Sequence, residues 1–129
     1  MPQTLSEIRD LLASTGLRPQ KKLGQNFLID GNLMTKIVEA AGLESADVVL
    51  EIGAGTGSLT EMLLERAHRV VAVELDRGLA ELLTARLAGR DNLTLLHEDV
   101  LQSKSQIAPV VLDALRQAAG DRPALLVAN

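Results

Sequence analysis

The sequence contains no cysteine, no tryptophan and no tyrosine, and its single phenylalanine is Phe27. Without cysteine there is neither a disulfide scaffold nor a thiolate metal site. Two histidines, His68 and His97, are too few for a histidine-rich metal site, so no metal is expected. With aromatic residues at 1%, stacking of bases on side-chain rings is almost closed to this chain. A core must be built from Leu, Val, Ile and Ala. No apolar run approaches the roughly 20 residues that a membrane helix requires. The N-terminus carries Glu7, Arg9 and Asp10 and is no signal peptide. A cytoplasmic protein without a membrane partner is therefore expected. A general basic excess is lacking too. The net charge of −4 argues against a nucleic-acid surface spread over the whole chain. Locally, Arg18, Lys21 and Lys22 cluster, a group read most simply as a solvated loop.

What is present is a change of hydrophobic period along a chain of 129 residues, the size of one domain. Leu5, Ile8, Leu11 and Leu12 have helical spacing, and Gly16 ends that segment. Residues 18–30, with Pro19 and Gly24, read as a loop. Asn32 can cap a second helix running to Gly42, with Leu33, Ile37, Val38 and Ala41 on one face. Val48-Val49-Leu50-Glu51-Ile52 then reads as a buried parallel strand that stops at Gly53. Helical spacing returns over 58–67, a second strand over 69–75, a helix over 77–88 and a third strand over Leu93–His97. Residues 107–119 are helical with an early interruption at Pro109, and Ala124–Ala128 is a fourth strand. Alternating strands and helices predict an α/β fold, a doubly wound and mostly parallel sheet with helices on both faces. The fourth strand, with nothing after it, is expected to be an exposed apolar edge.

Parallel sheets bind ligands at the carboxyl ends of their strands. Those ends carry 51–57, 74–76, 97–100 and Asn129, and they are uniformly polar. Gly53-Ala54-Gly55-Thr56-Gly57 lets the backbone take positive φ and lets a ligand approach with no Cβ in the way. Its plainest reading is a tight strand-to-helix turn; a nucleotide-like cofactor is the better one. Glu74, about 20 residues beyond Gly53, has the spacing of an acid that accepts both hydroxyls of a ribose. Asp76 competes for that role but stands further from the strand end. Asp99 can accept a hydrogen bond from the exocyclic amine of adenine. Dinucleotide sites favour G-x-G-x-x-G, but here the third glycine comes one position early and Ser58 stands sixth. An acid-rich set of loop ends suits the sulfonium and amino groups of S-adenosylmethionine better than a pyrophosphate. His97 reads as an ordinary strand-end hydrogen-bonding residue, and Glu61, Glu65 and Arg66 as a solvated helix face.

Leu23-Gly24-Gln25-Asn26-Phe27-Leu28-Ile29-Asp30 resembles the N-terminal signature of the ribosomal RNA adenine N6-dimethyltransferases. The segment from Val49 to Thr60 resembles that family's first methyltransferase motif, with Ala54 where the family usually has proline. Val73-Glu74-Leu75-Asp76-Arg77 resembles its ribose-binding segment, and Glu98-Asp99-Val100-Leu101 its adenine-binding segment. The resemblance runs from about Arg18 to Asn129 and favours the small-subunit rRNA branch over the macrolide-resistance branch. It implies a Rossmann-like class I methyltransferase fold dependent on S-adenosylmethionine. By the same resemblance Asn26 and Leu28 close over the cofactor, with Gly53 beside its methionine part and Gly55 and Asn129 also among the cofactor-binding residues. Glu74 holds the ribose, Asp99 the adenine amine, and Asn129 begins the family's Asn-Leu-Pro-Tyr catalytic motif. The implied reaction is double methylation of the exocyclic amine of adjacent adenines near the 3′ end of 16S rRNA, in the immature small ribosomal subunit. Asn129 would accept the amine's N–H, and the base must leave its stack to reach the site.

Residues 1–30 are read as an N-terminal helix and cofactor-closing loop, and 31–129 as a partial cofactor-binding domain cut after its fourth strand. Because Leu-Pro-Tyr does not follow Asn129, the chain is expected to be a fragment, monomeric and unable to methylate RNA alone. Two other readings stand beside this one. The first is a non-catalytic RNA-binding or ribosome-assembly module, which would use aromatic stacking residues and a basic stripe. The second is an NAD-dependent oxidoreductase fragment, which would bind NAD rather than S-adenosylhomocysteine.

Overall fold

In the computed structural model the described residues are 5–15, 19–23, 39, 42, 44, 47–103, 105–120, 122 and 124–128. In chain order they form α1 (Leu5–Ser14), β1 (Pro19–Leu23), β2 (Val48–Ile52), α2 (Ser58–Arg66), β3 (Arg69–Glu74) and α3 (Arg77–Arg86). They continue with β4 (Leu93–His97), β5 (Leu101–Ser103), β6 (Gln106–Ile107), α4 (Pro109–Ala119) and β7 (Ala124–Ala128). The helix expected over 32–42 falls almost wholly outside the described residues.

The apolar runs of β2, β3 and β7 are continuous because both faces of these strands are covered. Val49, Val70, Ala72, Leu125 and Val127 point to one side, where Leu59, Leu63, Leu64, Leu83 and Leu87 of α2 and α3 or their ends pack on them. Leu50, Val71, Val73 and Leu126 point to the other, against Ile8 and Leu12 of α1 and Val111 and Leu115 of α4. The two-residue period of a strand therefore divides one sheet between two cores. The single-side spacing of Ile8 with Leu12, and of Val111 with Leu115, supplies the matching helical stripes.

The five-stranded sheet has the order β1-β7-β2-β3-β4, and each pair is parallel. Successive strands step outward from β2 through β3 to β4, and then the chain returns to the other side of β2 as β7. The reversal puts a topological switch point between β2 and β7, where Ile52 pairs with Ala128 at the carboxyl ends.

Three expectations are corrected by the structure. Residues 18–30 are not a loop throughout, since Pro19–Leu23 is a strand. Its sequence has no apolar alternation because it is an edge strand, where a proline at the first position and lysines are tolerated. For the same reason β7 is not an exposed edge. It lies between β1 and β2, and Leu125, Leu126 and Val127 are only 2%, 1% and 1% exposed. The short β5–β6 hairpin was too brief to announce itself by periodicity. Pro109 does not interrupt α4 but starts it, as a residue without an N–H can at the first helical position.

Candidate functional site

The glycine loop begins where β2 ends. The Gly53 N–H still donates to the Val73 carbonyl at 2.8 Å, extending the ladder by one rung, while its φ of +77° turns the chain out of the sheet. The Gly57 N–H donates back to the Ala54 carbonyl at 3.0 Å and closes the turn. Gly57 then caps α2 at φ +89°, with no side chain bonded to the helix end. A Cβ at Gly57 would lie 2.6 Å from Leu83 Cδ2, so that glycine serves the packing of α3. At Gly55 the reverse holds. Its φ is +60°, and a Cβ would meet nothing closer than the Gly53 carbonyl at 4.0 Å. The space over Gly55 is open to a ligand.

Glu74 ends β3 beside this loop and is 6% exposed. One carboxylate oxygen accepts the Gly55 N–H at 2.7 Å, and the other accepts the Asp76 N–H at 2.9 Å. Each oxygen keeps a second lone pair for a further donor. Asp76 accepts the Leu79 N–H at 2.8 Å and so is the N-cap of α3. Glu74 thus faces the glycine loop, and Asp76 is engaged by its own helix.

Across the next strand, Glu74 pairs with His97, and the Glu98 N–H donates to the Glu74 carbonyl at 3.2 Å. Asp99 follows immediately. It is exposed, and one of its oxygens accepts the Leu101 N–H at 3.0 Å. His97 makes the ordinary hydrogen bond expected of it, Nε2 to the Leu75 carbonyl at 3.1 Å. Gly53, Gly55, Glu74 and Asp99 thus lie along one rim of the sheet. Asn26, Leu28 and Asn129 lie outside the described residues. The strands that lead to them, β1 and β7, pair in parallel with Leu23 opposite Val127.

Glu51 was noticed in the sequence only as part of a strand end. It is fully buried, with one oxygen accepting from the Thr60 hydroxyl of α2 and the other without a partner. Burial pushes its carboxyl up from 4.5 to about 7; the Thr60 bond lowers it, and the nearby Glu74 charge raises it further. A lone acid inside the run Val-Val-Leu-Glu-Ile, one residue from the glycine turn, is the signal that marks it. Glu61 is also more than a solvated face. It accepts from Arg86 Nε at 3.1 Å and is half-buried, whereas Glu65 and Arg66 are exposed. Among the described residues no group of three His, Cys, Asp or Glu is gathered that could hold a metal ion. No helix among them is long and apolar enough to cross a membrane.

A parallel sheet with this switch point, a glycine turn after its central strand and an acid ending the next define a methyltransferase-type fold. The fold is similar to that of a dimethyladenosine transferase from Plasmodium falciparum, with a TM-score of 0.61 and 28% identity over 81% of this chain and 33% of that one. It is also similar to that of the 23S rRNA methyltransferase ErmE, with a TM-score of 0.57 and 29% identity over 80% of this chain and 48% of that one. The chain belongs to the ribosomal RNA adenine dimethylase family, whose model matches residues 16–129. It is 43% identical to the ribosomal RNA small subunit methyltransferase A of Streptomyces avermitilis, over 96% of this chain. With the protein of the same name from Leifsonia xyli it shares 52% identity over 74% of this chain. These names agree with the small-subunit branch that the 23–30 segment favours. The chain spans 40% and 36% of the length of these two relatives.

Proposed function

We propose that this chain is the cofactor-holding part of an S-adenosylmethionine-dependent adenine dimethyltransferase acting on 16S rRNA of the small ribosomal subunit. The observation that carries the reading is Glu74, buried at the end of β3 and joined to the Gly55 N–H at 2.7 Å. That carboxylate consumes a loop donor that a pyrophosphate would need. The Gly57 N–H is likewise engaged, by Ala54. A dianionic bridge would therefore meet an acid instead of a nest of free N–H groups. A ligand that brings hydroxyl donors and positive charge fits the same groups, and the open space over Gly55 admits its backbone-like methionine part.

S-adenosylmethionine, when bound, supplies a methyl group on a sulfonium. The residues of this chain bind and orient. Glu74 accepts the ribose hydroxyls, and the free oxygen of Asp99 accepts from the adenine amine. Gly53 and Gly55 flank the methionine part. The family resemblance adds Asn26 and Leu28 as a cover over the cofactor. It also gives Asn129 as the acceptor for an N–H of the target adenine, whose lone pair is then freed toward the methyl group. Holding both reactants in line would supply much of the rate acceleration. The RNA substrate rests on family membership, and a monomeric, cytoplasmic protein without metal is the expected setting.

Calorimetry with S-adenosylhomocysteine and with NAD tests the cofactor. Binding of the former alone is expected, and binding of NAD alone would reject the assignment. Labelled methyl transfer into unmodified small subunits, read as N6,N6-dimethyladenosine after digestion, tests the substrate for any protein that carries this chain. Labelling confined to large-subunit rRNA would overturn the small-subunit reading.

A further inference from the structure

Thr56 stands between Gly55 and Gly57, both at positive φ, in the glycine turn of the candidate site. Its own hydroxyl reaches only Ser58, at 3.3 Å on the exposed side. Its carbonyl, however, accepts a 2.6 Å hydrogen bond from an Arg86 terminal nitrogen, 30 residues away in the last turn of α3. The Nε of the same guanidinium donates to Glu61 in the first turn of α2 at 3.1 Å. On the same face of α3, Leu83 and Leu87 lie against the Cα side of Gly57. One helix thus holds the glycine loop by two apolar contacts and one forked cation. At its other end Asp76 caps the helix and gives its N–H to Glu74. Helix α3 therefore spans the two halves of the site, from the ribose acid to the glycine turn.

Building on the cofactor reading above, we propose that Arg86 is a positioning residue for the cofactor. It fixes the Thr56 peptide so that the loop is ordered before the ligand arrives. A glycine turn without this tie loses conformational freedom on binding, and that loss is subtracted from affinity. The planar fork is what the task requires, because one group must reach a backbone carbonyl and a carboxylate at once. A lysine ammonium is a single point that meets this geometry less well. The role differs from that of a surface ion pair, since the bond that matters ends on a carbonyl of the loop.

The test is S-adenosylhomocysteine affinity of the 129-residue chain by calorimetry, well below its melting temperature, together with amide exchange at Gly55 and Gly57. Arg86→Met is expected to weaken binding about tenfold and to speed exchange at Gly57, the loss of one charge-assisted hydrogen bond. Arg86→Lys is expected to recover part of the loss, leaving about a threefold deficit. Arg90→Met removes the same charge from the exposed turn after α3 and is expected to stay within about twofold of the parent. Arg86→Met with parental affinity overturns the proposal, even if its melting temperature falls, because a purely structural brace would do only that. Should Arg86→Met fail to fold, Arg86→Lys decides, and a lysine variant equal to the parent overturns the proposal. No binding by the parent chain itself overturns the cofactor reading, a failure distinct from equal binding by parent and variant.

Discussion

A carboxylate buried in a parallel sheet must be neutral, paired or costly, and the two acids at this site take different routes. Glu74 is held by two backbone N–H groups, and both of its oxygens are acceptors. Glu74→Gln puts an amide NH2 against one of those donors and leaves a buried clash of donors, about 1–3 kcal/mol. If Glu74 receives a ribose, S-adenosylhomocysteine affinity falls at least about tenfold in this variant, measured by calorimetry. Glu51 has one oxygen without a partner and titrates near 7 instead of 4.5. Its folded form holds a proton that its unfolded form has already released between those values, so stability falls as pH rises through that window. Above about 7 both forms are ionised and the penalty, on the order of a few kcal/mol, is fully present. The melting temperature of the chain is therefore expected to decline from pH 5 to pH 7.5 by more than that of Glu51→Gln; parallel profiles would contradict it. Glu74 was legible in the sequence because its spacing from the glycines is tied to a strand end. The role of Arg86 was not, because its partner is a main-chain carbonyl that no residue pattern records.

Among the elements, the glycine turn and α3 behave as one unit, and the three glycines divide its duties. Gly57 has φ +89° and no room for a Cβ beside Leu83. Gly57→Ala is expected to cost about 2–4 kcal/mol in strain and overpacking, about 10 °C in melting temperature. Gly55 has φ +60° but open space above it. Gly55→Ala is expected to cost about 1 kcal/mol of stability while filling the space a ligand needs, so affinity falls more than stability. Equal effects of both substitutions on both properties would refute that division. Asp76→Ala removes the α3 cap, about 1 kcal/mol by thermal unfolding, and leaves S-adenosylhomocysteine affinity within about twofold. The described helices and central strands were legible because the short continuous apolar runs of β2, β3 and β7 give way to helical spacing after each loop. Strand β1 was not, because Pro19, Lys21 and Lys22 leave it without an apolar run, and its pairing with β7 joins segments at opposite ends of the chain.

For the molecule as a whole, the order β1-β7-β2-β3-β4 matters more than any one element. The reversal between β2 and β7 opens the carboxyl edge of the sheet beside the glycine turn, and the step from β3 to β4 brings Glu74 beside the segment that holds Asp99. The fold class could be read from alternation alone, but the place of β7 inside the sheet could not. It depends on β1, and with β1 present the expected exposed edge disappears. The central claim is that this rim receives S-adenosylmethionine. A crystal structure of the chain with S-adenosylhomocysteine tests it most directly. The account predicts both ribose hydroxyls on the Glu74 carboxylate, the adenine amine at Asp99 and the methionine part over Gly53 and Gly55. A ligand seated elsewhere, or one whose ribose turns away from Glu74, would contradict it.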